Sequence, residues 1–409
     1  MSIRERVSKF IAPAEQKAAD PSLFGLDWLV AGSTATSGVT VTAATAQRCA
    51  AVSICTSLLS NGVAIPCRPF RLVDGAKEEA ADHPSHALVY RDATEWMDSA
   101  HFRAALTRDA ILGGNGYAFV NRDLAGNPVE LIRLSPSAVT LETDDLTGEP
   151  RYRIHLSGGG DRIETFSNIL HVTSGIRADD GICGVGLVQL ARDDIGMALV
   201  MQNAIATTFR NNQRPGGVLM FPTGLGEEAL SKIRESWASG FSGENQGRTA
   251  ILERGTEYKT VQMPLGENDA EKLLIQANVA VCKHFGVPPS LAFEMGRATW
   301  ANLSEQNRHY IQYSVAPHLR EWTAAYRRTL LRPEERDTII FEFETDAFTK
   351  TDTLARWQSH QIARSSGVMT ANEIRHRENL PRIDEPAADT LGNPYTTQNL
   401  AAEAPDDGA

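Results

Sequence analysis

Two spacings of apolar residues alternate along the chain. Residues 45–60 carry Cys49, Val52, Leu58 and Leu59 at helical intervals, and Asn61-Gly62 reads as a left-handed stop. Val63 to Val73 reads as a strand. A second helix is expected over about 98–112, opened by an Asp98 cap and closed by Gly113-Gly114. Short strands follow at Tyr117–Val120, Val129–Ile132, Val139–Leu141, Tyr152–Ile154 and Ile169–Val172, split by turns such as Gly126-Asn127-Pro128.

At Leu187 the texture changes. As far as about Asn211 there is no proline and one glycine. Leu187, Leu190, Ile195, Ala198, Met201, Ile205 and Phe209 make one apolar stripe, widened by Met197, Val200 and Ala204. A stripe that broad predicts neighbours on more than one side of the helix. Pro215-Gly216-Gly217 breaks it. A small αβ insert follows: a strand at 218–221, a helix at 227–238 and a strand pair at 249–252 and 258–261. A helix over about 268–285 returns and stops at Gly286 and Val287-Pro288-Pro289. A loop over 290–301 leads to a long helix, about 302–331, with Pro317 in its interior. A kink is expected near 313–317. A strand at 338–343 and small helices complete the pattern, one opened by the capping box Thr370-Ala371-Asn372-Glu373. The class is α+β. Residues 1–44 and 386–409 are rich in small and polar residues and read as a flexible arm and a disordered tail.

Composition narrows the classes. Of 409 residues, 42% are hydrophobic and 22% charged, ordinary for a chain that buries a core. No apolar run is long enough for a membrane span, and Met1-Ser2-Ile3-Arg4-Glu5-Arg6 is not followed by the apolar stretch of a signal peptide. Lys plus Arg number 40 against 51 Asp plus Glu, a net charge of −11, which disfavours a protein that grips nucleic acid. The five cysteines, Cys49, Cys55, Cys67, Cys183 and Cys282, are odd in number and scattered, so reduced thiols are expected.

Catalytic patterns are missing. There is no phosphate loop, no His-Glu-x-x-His and no Gly-x-Ser-x-Gly. Gly181-Ile182-Cys183-Gly184-Val185-Gly186 lacks the order of a dinucleotide loop and reads as a flexible lead into the long helix. His83-x-x-His86 reads as a surface turn, and Asp144-Asp145, Asp179-Asp180 and Asp193-Asp194 read as turns or helix starts. No catalytic residue, metal or cofactor is expected.

The order of segments is the most informative feature. The chain resembles the portal proteins of tailed double-stranded-DNA bacteriophages of the long-tailed type; a gene transfer agent portal would look the same. The resemblance rests on Ala51-Val52-Ser53-Ile54-Cys55 with Leu58, Gly114-Asn115-Gly116-Tyr117-Ala118, Leu131-Ile132-Arg133-Leu134-Ser135-Pro136, Arg214-Pro215-Gly216-Gly217-Val218-Leu219, Phe285-Gly286-Val287-Pro288-Pro289, Thr299-Trp300-Ala301-Asn302-Leu303-Ser304-Glu305-Gln306, and Thr370 to Arg375 before Glu378-Asn379-Leu380-Pro381. It spans about 45–385.

The resemblance implies a structural protein, a dodecameric ring at one capsid vertex of the virion, assembled in the host cytoplasm. Double-stranded DNA would pass its channel without sequence specificity. The major capsid protein, the terminase large subunit and a head–tail adaptor would be partners, and no membrane would be involved. It implies a wing (45–186), stem helix (187–213), clip (214–263), returning stem helix (264–289), tunnel loop (290–301), kinked helix with a wing strand (302–350) and crown (351–385). Phe293, Glu294, Met295, Gly296, Arg297 and Trp300 would form the tunnel loop at the DNA channel, with the kink at Pro317. Leu190, Ala198, Met201 and Ile205 would face the next subunit. Arg103, Arg108, Arg210 and Arg214 would meet DNA or neighbouring subunits. The rival reading is a soluble cytoplasmic enzyme with a site assembled from residues such as His171, Asp179 and Asp180.

Overall fold

The computed structural model describes residues 34–144, 146–210, 217–220, 226–240, 257–260, 267–293, 308–345, 353–378 and 380–391. These fall into two compact units that divide after Phe343.

The first unit begins earlier than composition predicts. Thr34 and Thr40 form an antiparallel bridge, and Ala35 and Val41 are buried. Residues 34–44 are therefore packed structure rather than part of a flexible arm. The reason is a close contact: a Cβ on Gly196 would sit 2.5 Å from the Ala35 Cβ, so the helix glycine is a seat for this segment. The Thr36 amide and hydroxyl both donate to Asp193 Oδ1, at 2.8 and 3.0 Å.

Helices α1 (Ala43–Ala46) and α2 (Ala50–Gly62) follow. Strand β1 (Cys67–Val73) is central in a sheet between β2 (Ala76–Glu79) and β13 (Ile339–Phe343), with Cys67 opposite Phe343. The strand expected at 338–343 thus closes this sheet from far along the chain. Helix α3 (Ser85–Tyr90) and the short hairpin β3 (Asp92–Thr94) and β4 (Met97–Asp98) lead to α4 (Ser99–Gly113). As its sequence predicts, Asp98 caps α4 by accepting from the His101 amide, and Gly114 ends it at φ 94°.

The next strands build two antiparallel sheets. One runs β10 (Ile169–Thr173), β5 (Asn115–Arg122), β6 (Pro128–Leu134). The other runs β7 (Val139–Thr143), β8 (Pro150–His155), β9 (Asp161–Thr165). Tyr117, Leu134, Val139, Tyr152, Ile154 and Ile169 pack together and join them.

The long apolar helix starts as a single turn, α5 (Leu187–Leu190), and resumes as α6 (Arg192–Arg210). Asp193 and Asp194 lie in the first turn of α6, where carboxylates suit the helix dipole. In the insert, β11 (Gly217–Met220) pairs antiparallel with β12 (Glu257–Thr260), flanking α7 (Glu227–Gly240). The strand expected at 249–252 lies outside the described residues. The returning helix is α8 (Glu267–His284). The last long helix is not uniform: a π-helical turn over Tyr310–Val315 runs into α9 (Ala316–Leu330). Trp322 and Tyr326 of α9 are fully buried, and the Trp322 indole N–H donates to Thr107 of α4 at 2.8 Å.

The second unit holds α10 (Thr353–Ser365) and α11 (Ala371–Arg377), with the expected Thr370–Glu373 capping box. The Asn372 side chain accepts from the Ile383 amide and donates to its carbonyl, drawing the following segment back. Ala388 is buried within a 3-10 turn over Pro386–Ala388, so folded structure continues into the stretch expected to be a disordered tail.

Candidate functional site

The residues on either side of the 290–301 loop are held tightly. On the incoming side, α8 closes with the Val287 amide donating to Cys282 O, and Gly286 takes φ 63°. Val287 is buried, and Pro288 precedes a 3-10 turn over Pro289–Ala292. Phe293 then adopts φ 64°, a left-handed conformation rare for an aromatic residue, and stands 80% exposed. Glu294, Met295, Gly296, Arg297 and Trp300 lie outside the described residues.

On the outgoing side the π turn is clamped twice. The Tyr310 hydroxyl donates to Leu58 O of α2 at 2.7 Å, and the Ser314 hydroxyl donates to Gly286 O. The second bond ties the two flanks of the loop to each other. Pro317 occupies an early position of α9, directly after the π turn. A proline there lacks the N–H of a regular helix and crowds the carbonyl four residues earlier, and a wider turn relieves that crowding.

Helices α6 and α8 pack as an antiparallel pair, joined by a 2.8 Å contact between Asp194 and His284. Among the stripe residues, Leu190, Met201 and Ile205 are half-buried, whereas Ala198 is fully buried inside the single chain. Ala198 is thus covered by the chain's own packing and is not free to meet a second subunit, which corrects that expectation. Among the described residues, the apolar groups left outside are Met197, Ala204 and Ala206 on α6 and Leu273 and Ile275 on α8.

The polar residues suggested for other roles serve the fold. Arg103 is fully buried and donates to three main-chain carbonyls, Val63 O at 3.2 Å, Val89 O at 2.7 Å and Ile65 O at 2.8 Å. It meets neither DNA nor another subunit. Arg108 is exposed; the side chains of Arg210 and Arg214 lie outside the described residues. His83 is buried, not a surface residue: its Nδ1 accepts from the Ser85 amide at the start of α3. No group of three His, Cys, Asp or Glu residues suited to a metal occurs among the described residues.

His171 and Asp180, from the rival reading, are both engaged by contacts within the fold. His171 Nε2 donates to Asn115 Oδ1 at 2.9 Å, and Nδ1 accepts from the Tyr152 hydroxyl at 3.1 Å. Burial, then the nearby Arg328 and Arg177 guanidinium groups, push His171 down to about 3, so it stays neutral. Asp180 is occupied by the Ile182 and Cys183 amides, and burial pushes the Cys183 thiol up to about 12. Asn115 also bonds Gly184 through both its amide N–H and carbonyl. A Cβ on Gly114 or Gly184 would fall 2.2 or 2.0 Å from the other's carbonyl oxygen. The glycine-rich stretch before α5 is therefore a close backbone crossing, where the sequence reading expected flexibility.

This order of elements has known counterparts. A model of the phage portal protein family matches residues 50–379. The chain belongs to the phage portal protein family. It is 28% identical to the probable portal protein of Streptomyces phage phiC31, over 92% of this chain and 82% of that protein. It is 25% identical to the portal protein of Enterobacteria phage HK97, over 80% of this chain and 78% of that one. Among solved structures, a chain from the neck of a native gene transfer agent particle computed with C12 symmetry superposes with a TM-score of 0.54 at 22% identity, covering 82% of this chain and 91% of that chain. The likeness confirms the portal fold, which accounts for the α+β class and the sequential order of sheets, helices and insert. The portal family is structural rather than enzymatic.

Proposed function

We propose that twelve copies of this portal-family chain close into a ring at one capsid vertex, and that double-stranded DNA passes through the ring on packaging and ejection. The observation that carries this is the match over 50–379 to portal proteins, with a similar fold in a particle neck computed with C12 symmetry. The apolar groups left exposed on the α6–α8 pair support it: Met197, Leu273 and Ile275 are 46%, 38% and 40% exposed. A head-to-tail contact between copies covers such a surface and closes a ring. In this reading 45–186 with the strand at 338–343 is the wing, α6 and α8 the stem, 214–263 the clip and 351–385 the crown.

The loop at 290–301 is the channel constriction. Its flanks are tied together by Ser314 and Gly286. Its charges, Glu294 and Arg297, balance, and a loop that is not basic touches phosphate without holding it. The terminase large subunit docks on the clip and supplies the ATPase. The head–tail adaptor and major capsid protein bind the same ring in the virion, which is assembled in the host cytoplasm.

Native mass spectrometry of the purified chain tests the ring. A twelve-fold mass is expected; a species no larger than a tetramer overturns the reading. Shortening 293–298 is expected to leave the ring intact and lower the DNA content per particle. Full heads that retain DNA normally would remove the loop from the channel.

A further inference from the structure

Helix α2 and the last turn of α8 meet through two cysteines. Cys55 Sγ lies 3.7 Å from Cys282 Sγ, and both residues are fully buried. Cys49, also buried and capping the start of α2, is close enough to Cys282 to feel its charge. Cys183, by contrast, sits in the Asp180 turn. We infer that Cys55 and Cys282 are a latent disulfide site, a thiol pair placed to close into a covalent link between α2 and α8.

The geometry asks for little movement. A disulfide holds its sulfurs at about 2.05 Å, so the 3.7 Å contact must shorten by about 1.7 Å, within reach of side-chain rotation and a small shift of helix ends. The chemistry is exchange with a small-molecule disulfide such as oxidised glutathione. One thiol loses its proton and attacks, releasing one reduced glutathione and leaving a mixed disulfide. The second thiol loses its proton and attacks that bond, releasing the second. Two electrons pass to the small disulfide, and one S–S bond replaces another. The hydrogen bond to Cys282 and burial push the Cys55 thiol up, and neither sulfur is open to solvent. Exchange therefore waits on local opening and is slow.

The link would join residues 227 apart in sequence and enclose the sheets and insert between them. A loop that long is where a cross-link constrains the unfolded chain most. When it closes rests on the reading under Proposed function: thiols in the reducing cytoplasm during assembly, a disulfide in the released particle.

The test uses the purified full chain and does not depend on the particle. The protein is incubated under native conditions with excess oxidised glutathione, quenched with acid and weighed intact. A mass loss of two hydrogens is expected, with peptide mapping that joins Cys55 to Cys282. A rise of several degrees in the thermal midpoint, reversed by dithiothreitol, is also expected. Cys282→Ala should remove the link and Cys183→Ala should keep it; if the first variant fails to fold, the wild-type peptide map decides alone. No mass loss, persistent glutathione adducts, or a link mapped to Cys49 instead overturns the inference. Ring mass measured on the same sample reports separately on the portal reading.

Discussion

Gly62 faces Val315 across the joint between α2 and the π turn, at a distance that leaves no room for a side chain. A Cβ on Gly62 would lie 2.8 Å from Val315 Cγ2 and 3.0 Å from the Tyr310 hydroxyl. That hydroxyl is the one that anchors the turn to Leu58. The glycine therefore sets the position of the helix that leaves the loop.

Gly62→Ala is accordingly expected to destabilise the chain by about 1–3 kcal/mol, the usual cost of overpacking a stiff core site. Helix propensity offsets little of this, because Gly62 is the last residue of α2. Val315→Ala added to Gly62→Ala should restore part of the loss, since the two residues share one contact. Urea denaturation of the two single variants and the double variant checks both statements. Additive losses would show that the clash is absent.

The pH dependence follows from two buried histidines. Burial, with Arg328 and Arg177 nearby, holds His171 at about 3, and burial holds His318 at about 4. In the unfolded chain each titrates near 6.5. Below that value the unfolded state binds protons the native state refuses, so stability is complete above about pH 6.5 and falls as pH drops toward 4. Each histidine contributes a slope of about 1.4 kcal/mol per pH unit in that window. Thermal midpoints measured from pH 7 to pH 4 should fall, and His171→Gln should flatten the decline. An unchanged slope in the variant would assign the acid sensitivity elsewhere.

Much of this architecture was legible because local chemistry and tertiary role agree. Asp98 and Gly114 cap α4 as their types predict. β10, whose five residues are all buried, reads as an apolar run. Four strands escaped notice: the very short β3 and β4, and β2 and β9, of which the first is exposed throughout and both are largely charged. Their pairing comes from neighbouring strands rather than from their own residues. The misreadings share a cause: a residue type reports a need but not the partner that meets it. Gly62 reads as a turn glycine but is a steric gap. The Ser- and Thr-rich stretch at 34–40 reads as an arm, yet Thr36 is fixed by Asp193, which is 157 residues away. The loop residues were recognisable only by resemblance, since no local pattern marks them.

Arg103 offers a test of the fold free of any functional reading. Its guanidinium satisfies three buried carbonyls and, among the described residues, has no hydrogen bond to a carboxylate. Arg103→Met keeps much of the apolar stem but leaves Val63, Ile65 and Val89 carbonyls without that donor. The expected loss is about 3 kcal/mol or more, the scale for breaking a buried network. Chemical denaturation measures it. A stability within about 0.5 kcal/mol of wild type, the range of an ordinary surface substitution, would mean that water replaces the guanidinium.

The last prediction separates the chain's own packing from contacts between chains on one turn of α6. Ala198 and Met197 are adjacent in sequence but opposite in environment: the first is fully buried, the second 46% exposed. A glutamate at 198 places an unpaired carboxylate between α6 and its neighbours, so Ala198→Glu should unfold or strongly destabilise the monomer by several kcal/mol. A glutamate at 197 stays in water in the single chain and should leave the circular dichroism spectrum and thermal midpoint of the monomer nearly unchanged. In the proposed ring the same group is carried into an apolar contact, and the desolvation cost recurs at each of twelve interfaces. Met197→Glu should therefore fold normally and assemble poorly, visible by native mass spectrometry as monomer in place of the ring. Rings formed by Met197→Glu at the wild-type yield would show that this face of α6 looks into solvent. The exposed side of α8, Leu273 and Ile275, would then be the surface through which copies meet.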